Sequence, residues 1–162
     1  QAAWYLSQKV NNKPTSLVLT RQNLPVLENT SFEKVSKGAY VVYETSSDFD
    51  TILIATGSEV ALAVDVAREL EKEGSKVRVV SMPSVELFEE QSKEYKEELL
   101  PRSIRRRVSL EMGNTALWYK YVGLDGLAIG IDNFGASAPA NKVIEEYGFT
   151  AAKVVERIKN EL

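Results

Sequence analysis

From residue 39 onward, short apolar runs alternate with longer amphipathic stretches, and this alternation limits the chain to very few folds. Thr51–Ala55 is a continuous apolar run of the kind found in strands that are buried on both faces. The stretch after it carries apolar residues at helical spacing, and further strand-like runs begin at Val77, Val108 and Leu127. The pattern predicts an α/β fold, a three-layer open mixed sheet of about five strands, mostly parallel, with helices on both faces.

One strand of this sheet is expected to run against the others. Tyr40–Glu44 has strand character, and only a short polar turn around Ser46, Ser47 and Asp48 separates it from Thr51–Ala55. Parallel neighbours need a crossover of roughly a dozen residues or more. The sequence therefore predicts an antiparallel edge strand, paired with the strand that follows it.

The beginning of the chain is organised differently. Residues 2–6 have helical character, and residues 16–19 are an apolar run that predicts a buried strand. Residues 22–38 show no clear period and are punctuated by Pro, Asn, Ser and Gly, so we interpret them as a linker between domains. The predicted division is a helix-and-strand remnant of another domain at 1–21, the linker, and an independent α/β domain at 39–162.

The composition excludes several classes of function. The chain has no His and no Cys, which argues against disulfides and zinc sites and removes any His-based general base or triad. A net charge of -3 gives no overall basic field for nucleic acid. No apolar run approaches the roughly 20 residues of a membrane span, and no signal peptide is recognisable. We expect a cytoplasmic protein with no nucleic-acid and no membrane partner.

Arg21 is the first candidate ligand-binding residue. It follows the predicted strand at 16–19, and Pro25 then takes the chain out of regular structure. A planar guanidinium at such a position is suited to hold a phosphate group through two parallel hydrogen bonds. The alternative is a structural salt bridge with a nearby carboxylate.

The loops after the predicted parallel strands form a second candidate region, because open α/β sheets bind ligands at the carboxyl ends of their strands. Gly57 and Ser58, at the start of a helix, are a possible anion site, and the alternative is that Ser58 only caps the helix. The chain contains no glycine-rich nucleotide motif. Glu111 and Asp132 follow two other strands, and we expect them to bond loop amides rather than a metal.

Arg105-Arg106-Arg107 is the only basic cluster of the sequence. It precedes the strand that begins near Val108, in a chain with more acidic than basic residues. We expect a solvated strand entry or a contact between domains, with nucleic-acid binding less favoured.

Several motifs, in order along the chain, resemble the transketolase family. They are LTRQNLP (residues 19–25), ILIATGSEV (52–60), VRVVSMPS (77–84), WYKYVG (118–123), IDNFGASAP (131–139) and YGFT (147–150). Each motif is modest alone, but together they cover nearly the whole chain. The resemblance is to the C-terminal domain of the family, preceded at residues 1–21 by the tail of its pyrimidine-binding domain.

This resemblance implies a two-carbon ketol transfer between sugar phosphates, a reaction of the pentose phosphate pathway. In transketolases, thiamine diphosphate and a divalent metal, Mg or Ca, lie at a homodimer interface formed by the first two domains. The arginine that matches Arg21 helps bind the terminal phosphate of the substrate. In the family, the C-terminal domain carries no part of the catalytic centre.

The sequence departs from the family by what it lacks. It has no cofactor-activating glutamate, no GDG cofactor motif and none of the catalytic histidines, so we assign no catalytic, cofactor or metal residue to it. The chain alone is expected to be an inactive structural domain that supports the dimer. Two alternatives stay open: a regulatory module that binds an anion or nucleotide, and the equivalent domain of dihydroxyacetone synthase.

Overall fold

A computed structural model of the chain describes residues 1–9 and 12–162. Its centre is a five-stranded sheet in the order β1-β3-β2-β4-β5. The strands are β1 (Tyr40–Glu44), β2 (Thr51–Ala55), β3 (Val77–Ser81), β4 (Arg106–Leu110) and β5 (Leu127–Ile129). β2, β3, β4 and β5 are parallel, and β1 is antiparallel to β3. The predicted mixed α/β sheet with one antiparallel edge strand is confirmed.

The described residues also form eight α-helices. They are α1 (Ala2–Lys9), α2 (Phe32–Ser36), α3 (Glu59–Lys72), α4 (Val85–Glu89), α5 (Lys93–Leu99), α6 (Tyr119–Val122), α7 (Ala140–Glu146) and α8 (Ala151–Glu161). Ser84, Ser92 and Thr150 each accept a hydrogen bond from a backbone N–H of the first turn, which fixes where α4, α5 and α8 begin. Within the described residues, no helix combines the length and the apolar character that crossing a membrane requires.

The expected pairing of β1 with β2 is wrong. β2 has β3 on one side and β4 on the other, so neither of its edges is free for β1. The connection between them crosses the start of β3, where the Thr45 N–H donates to the Val77 carbonyl and the Asp50 N–H donates to the Lys76 carbonyl. A short connection can therefore pass over one strand and place β1 at the far edge.

Two apolar cores lie on opposite faces of the sheet. Alternate side chains of β2 enter them, Leu53 on the face covered by α3 and α8, and Ile52 and Ile54 on the face covered by α4, α5 and α6. All three side chains are fully buried. This two-sided burial explains why the run is apolar from Ile52 to Ala55.

The first part of the chain differs from its prediction in two places. Residues 14–20 have no regular secondary structure, so the predicted strand at 16–19 is not formed. The region interpreted as a linker between domains contains α2, whose N-cap Ser31 accepts from the Lys34 N–H. α2 also contacts α1, since the ring centroids of Phe32 and Tyr5 lie 4.9 Å apart.

Gly38 marks the entry into the sheet domain and is held in a confined place. Its φ is +80°, a conformation that favours glycine. A Cβ at this position would lie 2.3 Å from the Phe88 nitrogen and 2.4 Å from the Ser84 carbonyl oxygen. The Ser84 N–H donates to the Gly38 carbonyl over 3.0 Å, so the backbone here is joined directly to the start of α4.

Candidate functional site

The carboxyl ends of the parallel strands lie at one edge of the sheet, as the sequence predicts. β2 leads into Gly57 and Ser58, β4 into Glu111, and β5 into Asp132. Gly57 has a φ of +57°, which turns the chain from β2 into α3. The candidate residues of this edge can therefore be compared as one region.

Ser58 does not cap α3 with its side chain, which was the alternative to an anion site. It occupies the N-cap position of α3, but its side chain accepts no helix N–H. Its hydroxyl instead donates to the Glu59 Oε1 over 2.7 Å. Ser58 therefore serves a buried carboxylate rather than the helix terminus.

Glu59 is the acidic side chain that sequence reasoning missed. Only 6% of its surface is exposed, and this burial raises the pKa of its carboxyl, with the negative charge of Glu111 adding in the same direction. Hydrogen bonds from Ser58 and the Met112 N–H oppose the shift. An acidic residue in the first turn of a helix is usually explained by the helix dipole, so its position in the sequence gave no signal of burial.

The other carboxylates of this edge are also bonded to neighbouring loops. The indole N–H of Trp118 donates to Glu111. Asp132 accepts from the Thr115 N–H at 2.9 Å, from the Thr115 hydroxyl at 2.8 Å and from Asn114 at 2.9 Å. These bonds to Thr115 hold the pKa of Asp132 below its usual value. Asp132 thus bonds a loop amide, the role expected for it.

The edge as a whole carries negative charge, which bears on its possible ligands. Glu59, Glu111 and Asp132 follow three different elements, and the Ser58 hydroxyl is already used. This arrangement gives no support to an anion at Gly57 and Ser58, which stays a prediction. In residues 1–9 and 12–162, no group of three or more His, Cys, Asp or Glu side chains is arranged to hold a metal ion.

Arg21 lies on the irregular segment that precedes α2, and its side chain is exposed. Among the residues that the structure describes, no carboxylate pairs with its guanidinium. The structural salt bridge weighed as the alternative is therefore not formed within this part of the chain. Among the same residues, no hydrogen bond or ion pair joins Arg21 to Gly57 or Ser58.

Two of the three arginines of the basic cluster make structural contacts. Arg105 pairs with Asp125. Arg107 donates to the backbone carbonyls of four residues, at distances of 2.7 to 3.1 Å: Leu100, Pro101, Ile104 and Tyr121. Burial lowers the pKa of Arg107, and these carbonyls take the place of the water that the guanidinium has lost. Arg107 fastens the loop between α5 and β4 to α6.

A second group of charged side chains, which sequence reasoning did not single out, lies between α4, α5 and α6. The Glu89 carboxylate accepts from the Tyr121 hydroxyl at 2.6 Å and pairs with Lys120 at 2.8 Å and Lys96 at 3.2 Å. These bonds, with that of Lys120 the strongest, lower the pKa of Glu89 to about 2. Glu89 and Lys96 lie 24 or more positions before Lys120 and Tyr121, so no local motif reveals the group.

Residues 38–150 match the sequence model of a family described as the transketolase-like C-terminal domain. The chain is 62% identical over 160 residues to a probable transketolase of Streptococcus pneumoniae, covering 99% of this chain and 24% of that protein. It is 52% identical over 162 residues to the transketolase of Bacillus subtilis, covering 98% of this chain and 24% of that protein. The chain thus spans about a quarter of the length of these curated relatives.

Solved structures give the same result. A transketolase of Pichia stipitis, crystallised in complex with sedoheptulose 7-phosphate, superposes with a TM-score of 0.91 at 41% identity, over 99% of this chain and 23% of that one. The transketolase of Leishmania mexicana superposes with a TM-score of 0.91 at 38% identity, over the same shares of the two chains.

Proposed function

This chain belongs to the transketolase family, and we propose from that membership that it is the C-terminal part of an enzyme that transfers a two-carbon ketol unit between sugar phosphates. The Pichia stipitis relative, solved with a seven-carbon sugar phosphate, supports this class of substrate. Such a protein works as a homodimer in the cytoplasm in our proposal. The sheet domain supports the catalytic domains and takes no part in the chemistry.

Arg21 is the residue of this chain that contacts the substrate in our proposal. The observation that carries it is an exposed guanidinium without a carboxylate partner in the described part of the chain, inside the motif LTRQNLP. A guanidinium is planar and permanently charged, so it can hold a phosphate through two parallel hydrogen bonds. Contact with a phosphate remote from the reacting carbonyl orients the substrate for reaction.

Thiamine diphosphate and its divalent metal, Mg or Ca, are bound outside this chain in our proposal. The donor groups present do not fit the metal. Mg²⁺ and Ca²⁺ take oxygen ligands, and the described residues hold no group of three or more His, Cys, Asp or Glu side chains arranged to hold an ion. The cofactor supplies the carbanion chemistry of ketol transfer, and no residue of this chain takes part in that chemistry in our proposal. The chain by itself should therefore transfer no ketol groups.

The phosphate role is tested by placing this chain as the C-terminal part of a complete transketolase and changing Arg21→Ala. The variant loses one or two charge-assisted hydrogen bonds, worth roughly 1.5 to 3 kcal/mol each. The loss should appear in kcat/KM for a phosphorylated ketose donor and much less for its unphosphorylated counterpart. Arg21→Lys should recover only part of it, because an ammonium cannot reproduce the two parallel bonds.

The ratio of the two kcat/KM values decides the result. If Arg21→Ala lowers kcat/KM equally for both donors, Arg21 is structural and the phosphate role is wrong. Thiamine diphosphate affinity serves as the control, since it should be unchanged. A separate calorimetric titration of the isolated chain with thiamine diphosphate and Mg²⁺ should show no saturable binding, and saturation would contradict the proposed division of labour.

A further inference from the structure

A cleft of about 240 Å³ opens between α4, α5 and α6, on the face of the sheet that carries Ile52 and Ile54. Cationic side chains outnumber carboxylates along its walls. The cationic ones are Lys93, Lys96, Arg102, Arg107 and Lys120, and the carboxylates are Glu89 and Glu97. The chain as a whole has a net charge of -3, so this positive lining is a local feature and not a reflection of composition.

The Glu89 carboxylate lines the cleft and accepts from three donors. Lys96, Lys120 and the Tyr121 hydroxyl all reach it within 3.2 Å. One carboxylate therefore faces two ammonium groups, and one positive charge is left without a counterion. An ammonium group has three N–H donors. Lys96 donates to the carboxylate and to the backbone carbonyl of Glu89, which leaves one donor, and Lys120 donates to the carboxylate, which leaves two.

The remaining cations are engaged to different degrees. Arg107 is occupied by backbone carbonyls, and Arg102 makes a long contact of 3.4 Å with Glu97. The side chain of Arg102 is 92% exposed, so that contact holds it weakly. Lys93 is exposed at the rim and has no carboxylate partner among the residues that the structure describes.

We propose that this cleft binds a phosphate group, held by Lys96 and Lys120 with Lys93 and Arg102 at the rim. A dianion supplies the counter-charge that Glu89 alone does not provide, and charge-assisted hydrogen bonds from ammonium groups are strong. The volume is smaller than the roughly 300 to 1,000 Å³ of sites that enclose drug-sized ligands. The cleft therefore fits one phosphate or phosphoryl group and not a whole nucleotide. Arg21 does not line it, so the site is distinct from the proposed substrate contact.

The first test titrates the whole chain with inorganic phosphate in a calorimeter at constant ionic strength. The variant Lys96→Gln/Lys120→Gln should bind phosphate about tenfold more weakly or worse, since it loses two charged donors. The matched control is Lys72→Gln/Lys142→Gln, which removes the same charge from lysines that do not line the cleft. An equal loss in both double variants would show unspecific attraction and would overturn the site.

A second variant tests the sign of the effect and guards against misfolding. Glu89→Gln removes the competing carboxylate and frees both ammonium groups, so it should bind phosphate more tightly than the natural chain. Glu90→Gln, one position along and outside the cleft, should leave the affinity unchanged. A purely structural cluster would lose stability in Glu89→Gln and gain no affinity, and that result would also overturn the site.

The source of the phosphate is identified by comparing inorganic phosphate with ribose 5-phosphate. Tighter binding of the sugar phosphate would support the site as one for a phosphorylated metabolite, and equal binding would support it as one for the free ion. Both titrations are repeated in Arg21→Ala. If that variant abolishes the binding, the phosphate was at Arg21 and the cleft site is wrong.

Discussion

Two apolar runs of this chain look alike in sequence and end in opposite states. Thr51–Ala55 is the central strand of the sheet, with Leu53 fully buried. Residues 16–19 belong to the N-terminal arm (residues 1–9 and 12–30), in which Leu19 is 80% exposed. An apolar run is therefore only a candidate strand, because a strand needs hydrogen-bonding neighbours on its edges.

The neighbours explain the difference fully for the central strand. β2 pairs along its whole length with β3 on one side and with β4 on the other. Both flanking strands come later in the chain, so the residues near β2 in sequence do not predict them. For the arm, the described residues offer no strand beside 16–19.

The largest expected effect contrasts the same substitution in the two regions. Leu53→Ala should lower the free energy of unfolding by about 2 to 5 kcal/mol, because it leaves a cavity in a fully buried place. Leu19→Ala should change it by less than about 0.5 kcal/mol, since the side chain is mostly in water. Urea denaturation followed by circular dichroism measures both. Similar losses for the two variants would mean that the arm is buried in solution.

A smaller effect is expected at the seam between the regions. Gly38 and Gly74 both have positive φ, +80° and +92°, but only a Cβ at Gly38 would meet other atoms. Gly74→Ala should cost roughly 1 to 2 kcal/mol for the left-handed backbone alone. Gly38→Ala should cost more, because the backbone of α4 cannot give way as a flexible side chain would. If Gly38→Ala and Gly74→Ala lower the free energy of unfolding equally, the close contacts of a Cβ at position 38 have no effect on stability.

Glu89, the last residue of α4, and Glu90, the residue after it, should differ in how they affect stability as the pH changes. Glu89 joins elements of the sheet domain, whereas Glu90 pairs with Lys13 of the arm at 2.8 Å. The folded-state pKa of Glu89, about 2, lies below its ordinary value of 4.5, so its contribution is fully present above pH 4.5 and is lost as the pH falls towards 2. Glu89→Gln should remove this part of the acid dependence.

Glu90→Gln is the control for that measurement. Both partners of its ion pair are about half exposed, so the pair is screened by water and adds little to stability. The free energy of unfolding of Glu90→Gln should follow that of the natural chain between about pH 6 and 2.5. This window covers the pH range in which the shifted pKa of Glu89 acts. A loss as large as that of Glu89→Gln would show that the arm is held firmly.

The smallest expected effect is the removal of residues 1–21, the first part of the arm. Trypsin should cut first after Arg21, which is exposed in an irregular segment, and much later after Arg78 in β3. The product, residues 22–162, should unfold at nearly the same temperature as the intact chain. A marked drop in Tm would contradict the view that the arm contributes little to the domain.

The strands at Thr51, Val77, Val108 and Leu127 were predictable because each is a local apolar run that the sheet buries. The place of β1 was not, since it depends on which edges of β2 remain free after later strands have paired. The missing strand at 16–19 and the added α2 are opposite errors. The first lacks neighbours, and the second is stabilised by Ser31 and by contact with α1 within a stretch that has no apolar period.

The candidate sites were predictable to the extent that they depend on single residues. The bonds of Asp132 to a loop amide were predictable from its position after a strand. The phosphate role of Arg21, suggested by its motif, stays a prediction. The burial of Glu59 and the convergence of Lys96, Lys120 and Tyr121 on Glu89 were not visible, because both arise from packing between elements distant in sequence.

The confinement of Gly38 has a consequence for recombination between relatives. Its carbonyl and its missing Cβ are both matched to the backbone at Ser84 and Phe88, so the fit belongs to two segments that are far apart in the gene. A crossover placed just after position 38 would take these segments from different parents and leave their spacing to chance. A chimera joined further upstream, within the irregular residues 23–27, would inherit the glycine and its niche together.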